Sequence, residues 1–358
     1  MKKIYFVSLY YRKNLYTGAN KRFDELGRIF ASKLGENFRI IVCDGEKPDW
    51  ASAEICVFVS RYTSKLQRLR SFLELRSVLS SLDSGHVISD FMPIPFSALK
   101  KHWHYQLIYD LRNFTEFERG GLSFLTSRFQ QSQLARSNKI ITISQYSRED
   151  IVARCGVPRH KILVSYCGIT PNYLIGDSKQ RKNIDILYVA SFESRKNHIN
   201  LLKALAHSPT NLKISLVGRD LGTQSEAREL AKQLTSENGS IVEFKDSISE
   251  SALLESYRNS KLYVFPSFLE GFGMPLIEAM AMNCKVACSD IEVFRELCGE
   301  NAHYFDPKDP KNIWETIEGA LATADQPNHA SLAQKFLWHN ISENLLEQLN
   351  VAQDPVDS

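Results

Sequence analysis

The sequence lacks a long apolar run, a large excess of basic residues and a metal-binding cysteine pattern. These three features are typical of membrane proteins, nucleic-acid-binding proteins and zinc proteins. Its 358 residues contain no run of about 18 apolar residues, so no membrane-spanning helix is predicted, and the short apolar start gives no expectation of a signal peptide. Basic residues barely outnumber acidic ones, 44 against 41, and a net charge of +3 argues against a nucleic-acid partner. The seven cysteines are an odd number without zinc-ribbon spacing. We therefore expect reduced thiols, a cytoplasmic location and no metal site.

What the sequence does contain is two successive series of short apolar strands that alternate with helix-like segments. The first series starts at IYFVSLY and the second at IDILYVA. Such alternation is typical of parallel sheets covered by helices, and the chain length favours two domains of roughly 150 to 200 residues. We predict an α/β fold of two Rossmann-like domains, residues 1–172 and 173–335, with a C-terminal helix and tail over 336–358 that cross back to the first domain. The boundary follows from the proline, glycine and charge in GITPNYLIGDSKQRKN.

The most informative segment joins a strand end, a glycine-flanked turn and a helix start, and reads SFLEGFGMPLIEAMA. Pro275 suits the first turn of a helix, so the amides before it would point out of the helix N-terminus, where a diphosphate can bind. The backbone groups concerned are those of Gly271, Phe272, Gly273 and Met274. Glu270 and Glu278 are placed to accept hydrogen bonds from sugar or ribose hydroxyls. The alternative is a tight turn with two acids that favour the helix dipole.

A second segment, YVASFESRKN, places two cations shortly after a strand end. Strand ends face the ligand crevice in parallel sheets, and a departing nucleoside diphosphate gains negative charge as its bond to the sugar breaks. Arg195 and Lys196 would stabilise that charge. The alternative for this pair is a solvated basic turn.

Two segments of the first half carry weaker signals. The segment RYTSKLQRLRSFLELRSVL has a basic face at helical spacing, which suits contact with anionic lipid or a lipid-diphosphate acceptor. The residues of this face are Arg61, Lys65, Arg68 and Arg76. The alternative is a solvated face opposite a core-facing stripe of Leu66, Leu69 and Leu73. His102 and His104 alternate as strand residues do, and we predict that they are surface residues and not metal ligands.

The C-terminal half resembles the family 4 glycosyltransferases, also described as glycosyl transferases group 1. The resemblance is carried by YVASFESRKN, by the strand that ends in LVG at Gly218, by the two glutamates of SFLEGFGMPLIEAMA and by EVFRELCGENAHYFDPKD. The family's passage from its first domain into the linker is similar to RSNKIITISQYSREDIVARCGVPRHKILVSYCGI. The resemblance implies the GT-B architecture, in which two Rossmann-like domains face each other across a cleft.

The resemblance also implies roles for the residues of the C-terminal half. Arg195 and Lys196 would bind the donor diphosphate, Glu278 the ribose hydroxyls and Glu270 the transferred sugar. The backbone of the glycine-flanked turn would contact sugar and phosphate, and Gly218 would lie near the base. Transfer in this family retains the anomeric configuration. The leaving phosphate is thought to take the proton from the acceptor, so neither a side-chain nucleophile nor a metal or other cofactor is expected.

In the N-terminal half the family's pattern is only partly matched. Many members have glycines in the first loop near the donor phosphates, and TGANKRFDEL supplies Gly18 there. Many also have a His-Asp pair after a central strand, and LIYDLRN stands in that place. The resemblance implies that Asp110 orients the acceptor, whereas Tyr109 replaces the histidine and cannot act as an imidazole would.

These observations together predict a retaining, metal-independent glycosyltransferase. It would move a hexose, with mannose as the first candidate, from a nucleotide diphosphate-sugar to a saccharide or lipid-linked saccharide. The expected pathway is bacterial surface polysaccharide synthesis, such as that of lipopolysaccharide, at the inner face of the membrane. Two alternatives stay open: a catalytically silent subunit that binds sugar nucleotides, and a GT-B phosphorylase or epimerase.

Overall fold

The computed structural model describes residues 2–13, 15, 17–61, 64–90, 94–111, 131–174, 182–323 and 329–351. The chain divides into two compact units. The N-terminal unit consists of Met1–Gly168 together with Trp338–Ser358, and the C-terminal unit of Ile169–Leu337. Residues 175–181, which belong to the boundary segment expected from the sequence, lie outside the described residues.

The N-terminal unit is built on a parallel sheet of seven strands. The strands are β1 (Lys3–Ser8), β2 (Phe38–Cys43), β3 (Cys56–Val59), β4 (Gly85–Ser89), β5 (Trp103–Ile108), β6 (Lys139–Thr142) and β7 (Ile162–Val164). Their order in the sheet is β3-β2-β1-β4-β5-β6-β7. The central strands are short apolar runs and are buried, as strands of a parallel sheet covered by helices must be.

Four helices of this unit lie wholly within the described residues. They are α1 (Gly18–Leu34), α2 (Lys65–Ser81), α3 (Gln145–Cys155) and α11 (Trp338–Val351). Helix α1 begins after Thr17, whose hydroxyl accepts a hydrogen bond from the Asn20 backbone N–H at 3.2 Å. It ends at Gly35, which adopts φ of 52°. Phe23 and Phe30 of α1 are buried, so this helix contributes its apolar face to the core.

The terminal helix α11 is part of the N-terminal unit, although it follows the whole C-terminal unit in the sequence. Lys33 of α1 forms an ion pair with Glu343, and Gln348 Nε2 donates to the Val164 carbonyl at 3.2 Å. At the junction, a Cβ on Gly168 would lie 2.6 Å from the Trp338 ring. Glycine at position 168 therefore lets the indole pack directly against the backbone.

The C-terminal unit is built on a parallel sheet of six strands. The strands are β8 (Ile184–Val189), β9 (Lys213–Val217), β10 (Ile241–Lys245), β11 (Ser260–Phe265), β12 (Lys285–Ser289) and β13 (His303–Phe305). Their order is β10-β9-β8-β11-β12-β13. The helices are α4 (His198–Leu205), α5 (Gln224–Asn238), α6 (Glu250–Arg258), α7 (Met274–Ala281), α8 (Glu292–Cys298), α9 (Pro310–Ala322) and α10 (Ala330–Gln334). Two parallel sheets with intervening helices confirm the predicted α/β class with two Rossmann-like domains.

Each sheet has one place where the strand order reverses. In the N-terminal unit this place lies between β1 and β4, and in the C-terminal unit between β8 and β11. At such a switch point the connections leave in opposite directions, which opens a crevice at the carboxyl ends of the two strands, where doubly wound proteins bind ligands. Ligand-binding residues are therefore expected directly after these four strands.

Two expectations about side-chain exposure are wrong. Leu69 and Leu73 do not form a core-facing stripe, because they are 56% and 52% exposed, while Leu75 of the same helix is buried. The side chains of Lys65 and Leu66, which belong to the same two faces, lie outside the described residues.

The two histidines are not surface residues either. His102 and His104 are both buried. The His102 ring pairs with the Leu79 carbonyl at 2.9 Å, and the His104 ring with the Ser89 hydroxyl at 2.8 Å. Burial lowers the pKa of His104 to about 3, so its ring is neutral and part of the core.

Candidate functional site

Charged side chains meet at the switch point of the C-terminal sheet. Lys196 follows β8 and Glu270 follows β11, and the Lys196 ammonium donates a hydrogen bond to Glu270 Oε1. Arg195 Nη1 donates to Glu270 Oε2 at 3.3 Å, and Ser267 Oγ donates to Oε1 at 2.8 Å. The residues predicted at the two strand ends are therefore brought together, with Glu270 between both cations.

This cluster is compact and largely shielded from solvent. The side chains of Arg195 and Lys196 are 15% and 12% exposed, and that of Glu270 is 8% exposed. Arg195 also donates to Glu193 Oε1 at 2.8 Å, which places a second carboxylate beside the two cations. At low exposure, charges interact more strongly than they do in water. The alternative of a solvated basic turn is therefore wrong for Arg195 and Lys196.

The ionisation of the cluster follows from burial and from its opposite charges. Burial raises the pKa of the Glu270 carboxyl, but Lys196, Arg195 and the Ser267 hydroxyl together hold that pKa below its usual value. Burial lowers the pKa of the Lys196 ammonium, and Glu270 opposes part of that shift. The Glu270 carboxylate is therefore ionised at neutral pH and can accept hydrogen bonds from hydroxyl groups.

The glycine-flanked turn leads from Glu270 into helix α7. Gly273 adopts φ of 105° immediately before the helix, and a Cβ there would lie 2.9 Å from the Phe294 ring. Pro275 occupies the first turn, as predicted from the sequence. Phe272 is buried, with its ring 5.9 Å from that of Phe336, so the ring is part of the core. The predicted backbone contacts of Gly271, Phe272, Gly273 and Met274 with the donor stay predictions.

Glu278 lies in α7 and is held by tyrosines that the sequence did not suggest. The Tyr257 hydroxyl donates to Glu278 Oε2 at 3.1 Å, and Tyr173 is also hydrogen-bonded to this carboxylate. All three side chains are buried. Tyr257 belongs to α6 and Tyr173 to the turn after Thr170, so no local motif joins them to Glu278. Two neutral donors orient this buried carboxylate, and its predicted contact with a ribose stays a prediction.

Gly218 follows β9 and comes very close to the end of β8. A Cβ at this position would lie 1.8 Å from the Ala190 carbonyl oxygen, and the Gly218 N–H donates to the Lys245 carbonyl at 2.8 Å. Packing between neighbouring strand exits therefore requires glycine here. Its predicted contact with the donor stays a prediction.

The residues predicted in the N-terminal unit lie at the carboxyl end of that sheet. Gly18 is the first residue of α1, and Asp110 is the second residue after β5. The neighbouring Tyr109 hydroxyl donates to Asp90 Oδ1 at 3.4 Å. Asp90 immediately follows β4, and its Oδ2 accepts a hydrogen bond from Ser8, the last residue of β1. Sequence reasoning missed Asp90 and Ser8, although an acid directly after the apolar strand GHVIS was a signal.

Two further properties bear on the expected chemistry. Among the described residues, no helix is both long and apolar enough to cross a membrane. In the same part of the chain, no three His, Cys, Asp or Glu side chains form a group that could hold a metal ion. Transfer without a metal stays a prediction.

Two family models match the two halves of the chain. The model described as Glycosyltransferase Family 4 matches residues 16–173, and the model described as Glycosyl transferases group 1 matches residues 176–335. The chain belongs to glycosyltransferase family 4. This confirms the family resemblance of the sequence.

Two curated relatives of this family 4 glycosyltransferase are bacterial mannosyltransferases. The serotype-specific mannosyltransferase WbdA of Escherichia coli is 26% identical over 232 residues, which are 62% of this chain and 27% of WbdA. The O-antigen chain mannosyltransferase RfbU of Salmonella typhimurium (strain LT2) is 29% identical over 182 residues, which are 51% of this chain and 50% of RfbU. The chain therefore spans only part of the length of either relative.

A solved structure matches this family 4 glycosyltransferase over almost its whole length. Anabaena HepE, crystallised in complex with UDP and glucose, aligns with a TM-score of 0.76 and 17% identity, over 98% of this chain and 100% of HepE. At this identity the likeness concerns the fold, and it agrees with the predicted fold class.

Proposed function

We propose that this family 4 member is a retaining glycosyltransferase that takes a hexose from a nucleotide diphosphate-sugar. The observation that carries the proposal is the buried cluster of Arg195, Lys196 and Glu270 at the switch point of the C-terminal sheet. The cluster combines two cations, which suit a diphosphate, with an ionised carboxylate, which suits sugar hydroxyls. The HepE complex with UDP and glucose supports a donor of this kind.

The cluster would act mainly on the leaving group. As the glycosidic bond breaks, negative charge grows on the diphosphate, and fixed cations then bind it more tightly than they bind the intact donor. Arg195 and Lys196 supply this charge from the protein, so we propose that no metal ion is needed. Glu270 would hold the transferred sugar and Glu278 the ribose. Retention of configuration would follow from acceptor attack on the same face, with the leaving phosphate as the base.

The transferred sugar and the acceptor are proposed from the relatives. WbdA and RfbU are mannosyltransferases, and RfbU is named for the O-antigen chain. We propose mannose as the first sugar to test and a saccharide or lipid-linked saccharide of a bacterial surface polysaccharide as the acceptor. The enzyme would work in the cytoplasm at the inner face of the membrane.

Contact with that membrane is proposed through the exposed face of α2. Arg68, Arg70 and Arg76 are exposed on this helix beside the exposed Leu69 and Leu73. Basic side chains attract anionic lipid headgroups, and exposed leucines gain free energy by entering the interface. The predicted basic face therefore lies next to exposed Leu69 and Leu73, which the sequence analysis had placed in the alternative, core-facing stripe.

The decisive experiment is a transfer assay with purified protein and a panel of UDP- and GDP-sugars, read as donor consumption by mass spectrometry. We expect Lys196→Ala and Glu270→Ala each to lower turnover by about 100-fold or more, because each removes a buried charge that faces the donor. Lys203→Ala, which removes an exposed lysine of α4, is the matched control and should leave turnover unchanged.

The alternatives predict different results in that assay. A silent subunit would bind a nucleoside diphosphate in calorimetry and consume no donor with any acceptor. A phosphorylase would degrade a glucan only in the presence of orthophosphate. If turnover persists in both variants, or if chelation of divalent ions abolishes it, the proposed mechanism is wrong.

A further inference from the structure

We infer that Tyr188 and Asn197 are positioning residues for sugar transfer: they fix the backbone of Lys196 and thereby the place of its ammonium group. The inference rests on the proposed function, in which that ammonium stabilises the leaving diphosphate. Neither residue belongs to the charged cluster, and neither was predicted as a site residue from the sequence. In this role both act through Lys196 and not on the donor itself.

The position of the Lys196 charge depends on the chain that carries it. A lysine ammonium is a compact charge on a flexible four-carbon stem, so it has no rigid group that would orient it. Glu270 accepts a hydrogen bond from this ammonium, but in the proposed reaction a diphosphate competes for the same charge. A displacement of about 1 Å in such a group can cost about 100-fold in rate. Groups that hold the Lys196 backbone therefore bear on turnover.

The neighbouring cation is oriented in a different way. The Arg195 guanidinium is a planar fork, which its own hydrogen bonds can align. Its Nη2 donates to Glu193 Oε1 at 2.8 Å, and its Nη1 donates to the Leu269 carbonyl at 3.2 Å. Arg195 is therefore placed through its side chain, whereas the placement of the lysine beside it relies on its backbone.

The first group that holds this backbone is the Tyr188 hydroxyl. Tyr188 lies in β8 and is fully buried, and its hydroxyl donates to the Lys196 carbonyl at 2.7 Å. The phenol ring packs between other rings, with centroids 4.5 Å from that of His198 and 5.8 Å from that of Phe265. A short hydrogen bond from a buried and closely packed phenol leaves the Lys196 carbonyl little freedom to move.

The second group is the Asn197 amide, which ties the turn after β8 to the exits of two other strands. Asn197 is buried and adopts φ of 60°, a conformation that asparagine tolerates better than most residues. Its Nδ2 donates to the carbonyls of Pro266 at 2.9 Å and Pro307 at 2.8 Å. Pro266 immediately follows β11, and Pro307 is the second residue after β13. Both N–H groups of the amide therefore anchor the residue next to Lys196.

The test is a double-mutant cycle on turnover, with the donor and acceptor that give transfer in the assay above. Tyr188→Phe removes one hydroxyl and keeps the ring, and Asn197→Gly removes the amide and keeps φ of 60° accessible. We expect each to lower turnover by about tenfold. In a Lys196→Ala background each should lower turnover by less than about twofold, because the group that it positions is gone. A merely structural role would give the same loss in both backgrounds.

Tyr263→Phe and Asn200→Ala are the matched controls. Tyr263 is as buried as Tyr188 and lies on the neighbouring strand β11. Asn200 of α4 donates to the same Pro307 carbonyl as Asn197 does, at 3.1 Å. Both controls should keep the turnover of wild type, and urea denaturation should show that every variant is folded under the assay conditions.

Lys196→Ala by itself separates this inference from the proposed function. If it consumes donor as fast as wild type, the proposed function fails. If it is slow but a positioning variant matches wild type, or loses the same factor in both backgrounds, the role inferred for that residue is wrong and the assignment of Lys196 stands.

Discussion

Two phenol groups hold the Glu278 carboxylate, and their contribution can be measured on nucleotide binding. Tyr257→Phe removes one donor to Glu278 Oε2 without changing the size of the ring. We expect binding of the preferred nucleoside diphosphate to weaken about threefold to tenfold, the usual range for one net hydrogen bond. Calorimetry measures the change.

The matched control is Tyr263→Phe. Tyr263 is equally buried and belongs to the same tyrosine cluster, but its hydroxyl has no side-chain hydrogen-bond partner among the described residues. If both variants lost nucleotide affinity equally, the affinity would depend on the packing of the tyrosine rings and not on the orientation of Glu278.

Asp90 should make the stability of the N-terminal unit depend on pH. Burial raises the pKa of its carboxyl to about 6, while hydrogen bonds from Ser8 and Tyr109 and the charge of Arg22 act in the opposite direction. The native state then binds this proton more tightly than the unfolded state does, so stability falls as pH rises from about 4 to about 6 and is constant above.

Asp90→Asn cannot titrate and should lack this loss. The difference in unfolding free energy between wild type and Asp90→Asn should therefore change by about 2 kcal/mol between about pH 4 and about pH 7, in favour of the variant at the higher pH. Urea denaturation at the two pH values measures it. A difference that does not change with pH would show that Asp90 has an ordinary pKa.

Individual residues also show how far the sequence could predict the site. Lys196 and Glu270 could be assigned to one site because each follows a strand of a parallel sheet, and such ends meet at one edge. Asp90, Ser8 and Tyr173 could not, because their roles depend on contacts between residues far apart in the chain and on burial. His102 and His104 were mispredicted for the same reason: alternation in a strand does not tell whether both faces of the sheet are covered.

At the scale of elements, the turn before α7 depends on a backbone conformation that favours glycine. In Gly273→Ala, alanine would have to adopt φ of 105°, and its Cβ would lie 2.9 Å from the Phe294 ring. We therefore expect the unfolding free energy to fall by about 1 to 3 kcal/mol. Chemical denaturation measures the loss.

The control for this change is Gly319→Ala. Gly319 lies inside α9, and a Cβ added there would meet no atom of the described residues within 4 Å. Alanine at this position should therefore be neutral or stabilising by up to about 1 kcal/mol. A Gly273→Ala protein as stable as wild type would show that the turn tolerates other residues and that glycine serves the ligand alone.

Helix α2 carries the prediction about membranes. Replacing Leu69 and Leu73 together by serine should weaken binding to vesicles that contain anionic lipid by about tenfold or more, because two exposed apolar side chains are lost while the arginines remain. Vesicle co-sedimentation measures binding, and zwitterionic vesicles should bind wild type poorly.

Leu221→Ser is the matched control, since Leu221 is 50% exposed in the C-terminal unit. Equal binding of wild type to both kinds of vesicle, or an equal effect of the control, would exclude α2 as the docking surface.

The elements themselves were largely predictable, because alternation of apolar strands and helical segments is a property of the local sequence. The orientation of α2 was not. Its leucines occur at two spacings, and only packing against the sheet decides that Leu75 and Leu79 face the core while Leu69 and Leu73 face solvent. When apolar residues occur on both faces of a helix, the sequence alone does not determine which face packs against the core.

For the whole molecule, a nucleoside diphosphate should stabilise the C-terminal unit in particular. At about 100 times its dissociation constant it should add about 2.7 kcal/mol to the unfolding free energy. Hydrogen exchange should slow around Lys196 and the start of α7, and Lys196→Ala should abolish the effect. Protection confined to the N-terminal sheet would place the nucleotide in the other unit and contradict the assignment.

The return of α11 to the N-terminal unit has a consequence for biosynthesis. A ribosome completes the whole of Ile169–Leu337 before it makes the helix that begins at Trp338. The C-terminal unit can therefore fold before α11, which packs against Gly168 and α1, has been synthesised. The half that emerges earlier is the last to mature, and its incomplete surface is what chaperones would meet on the nascent chain.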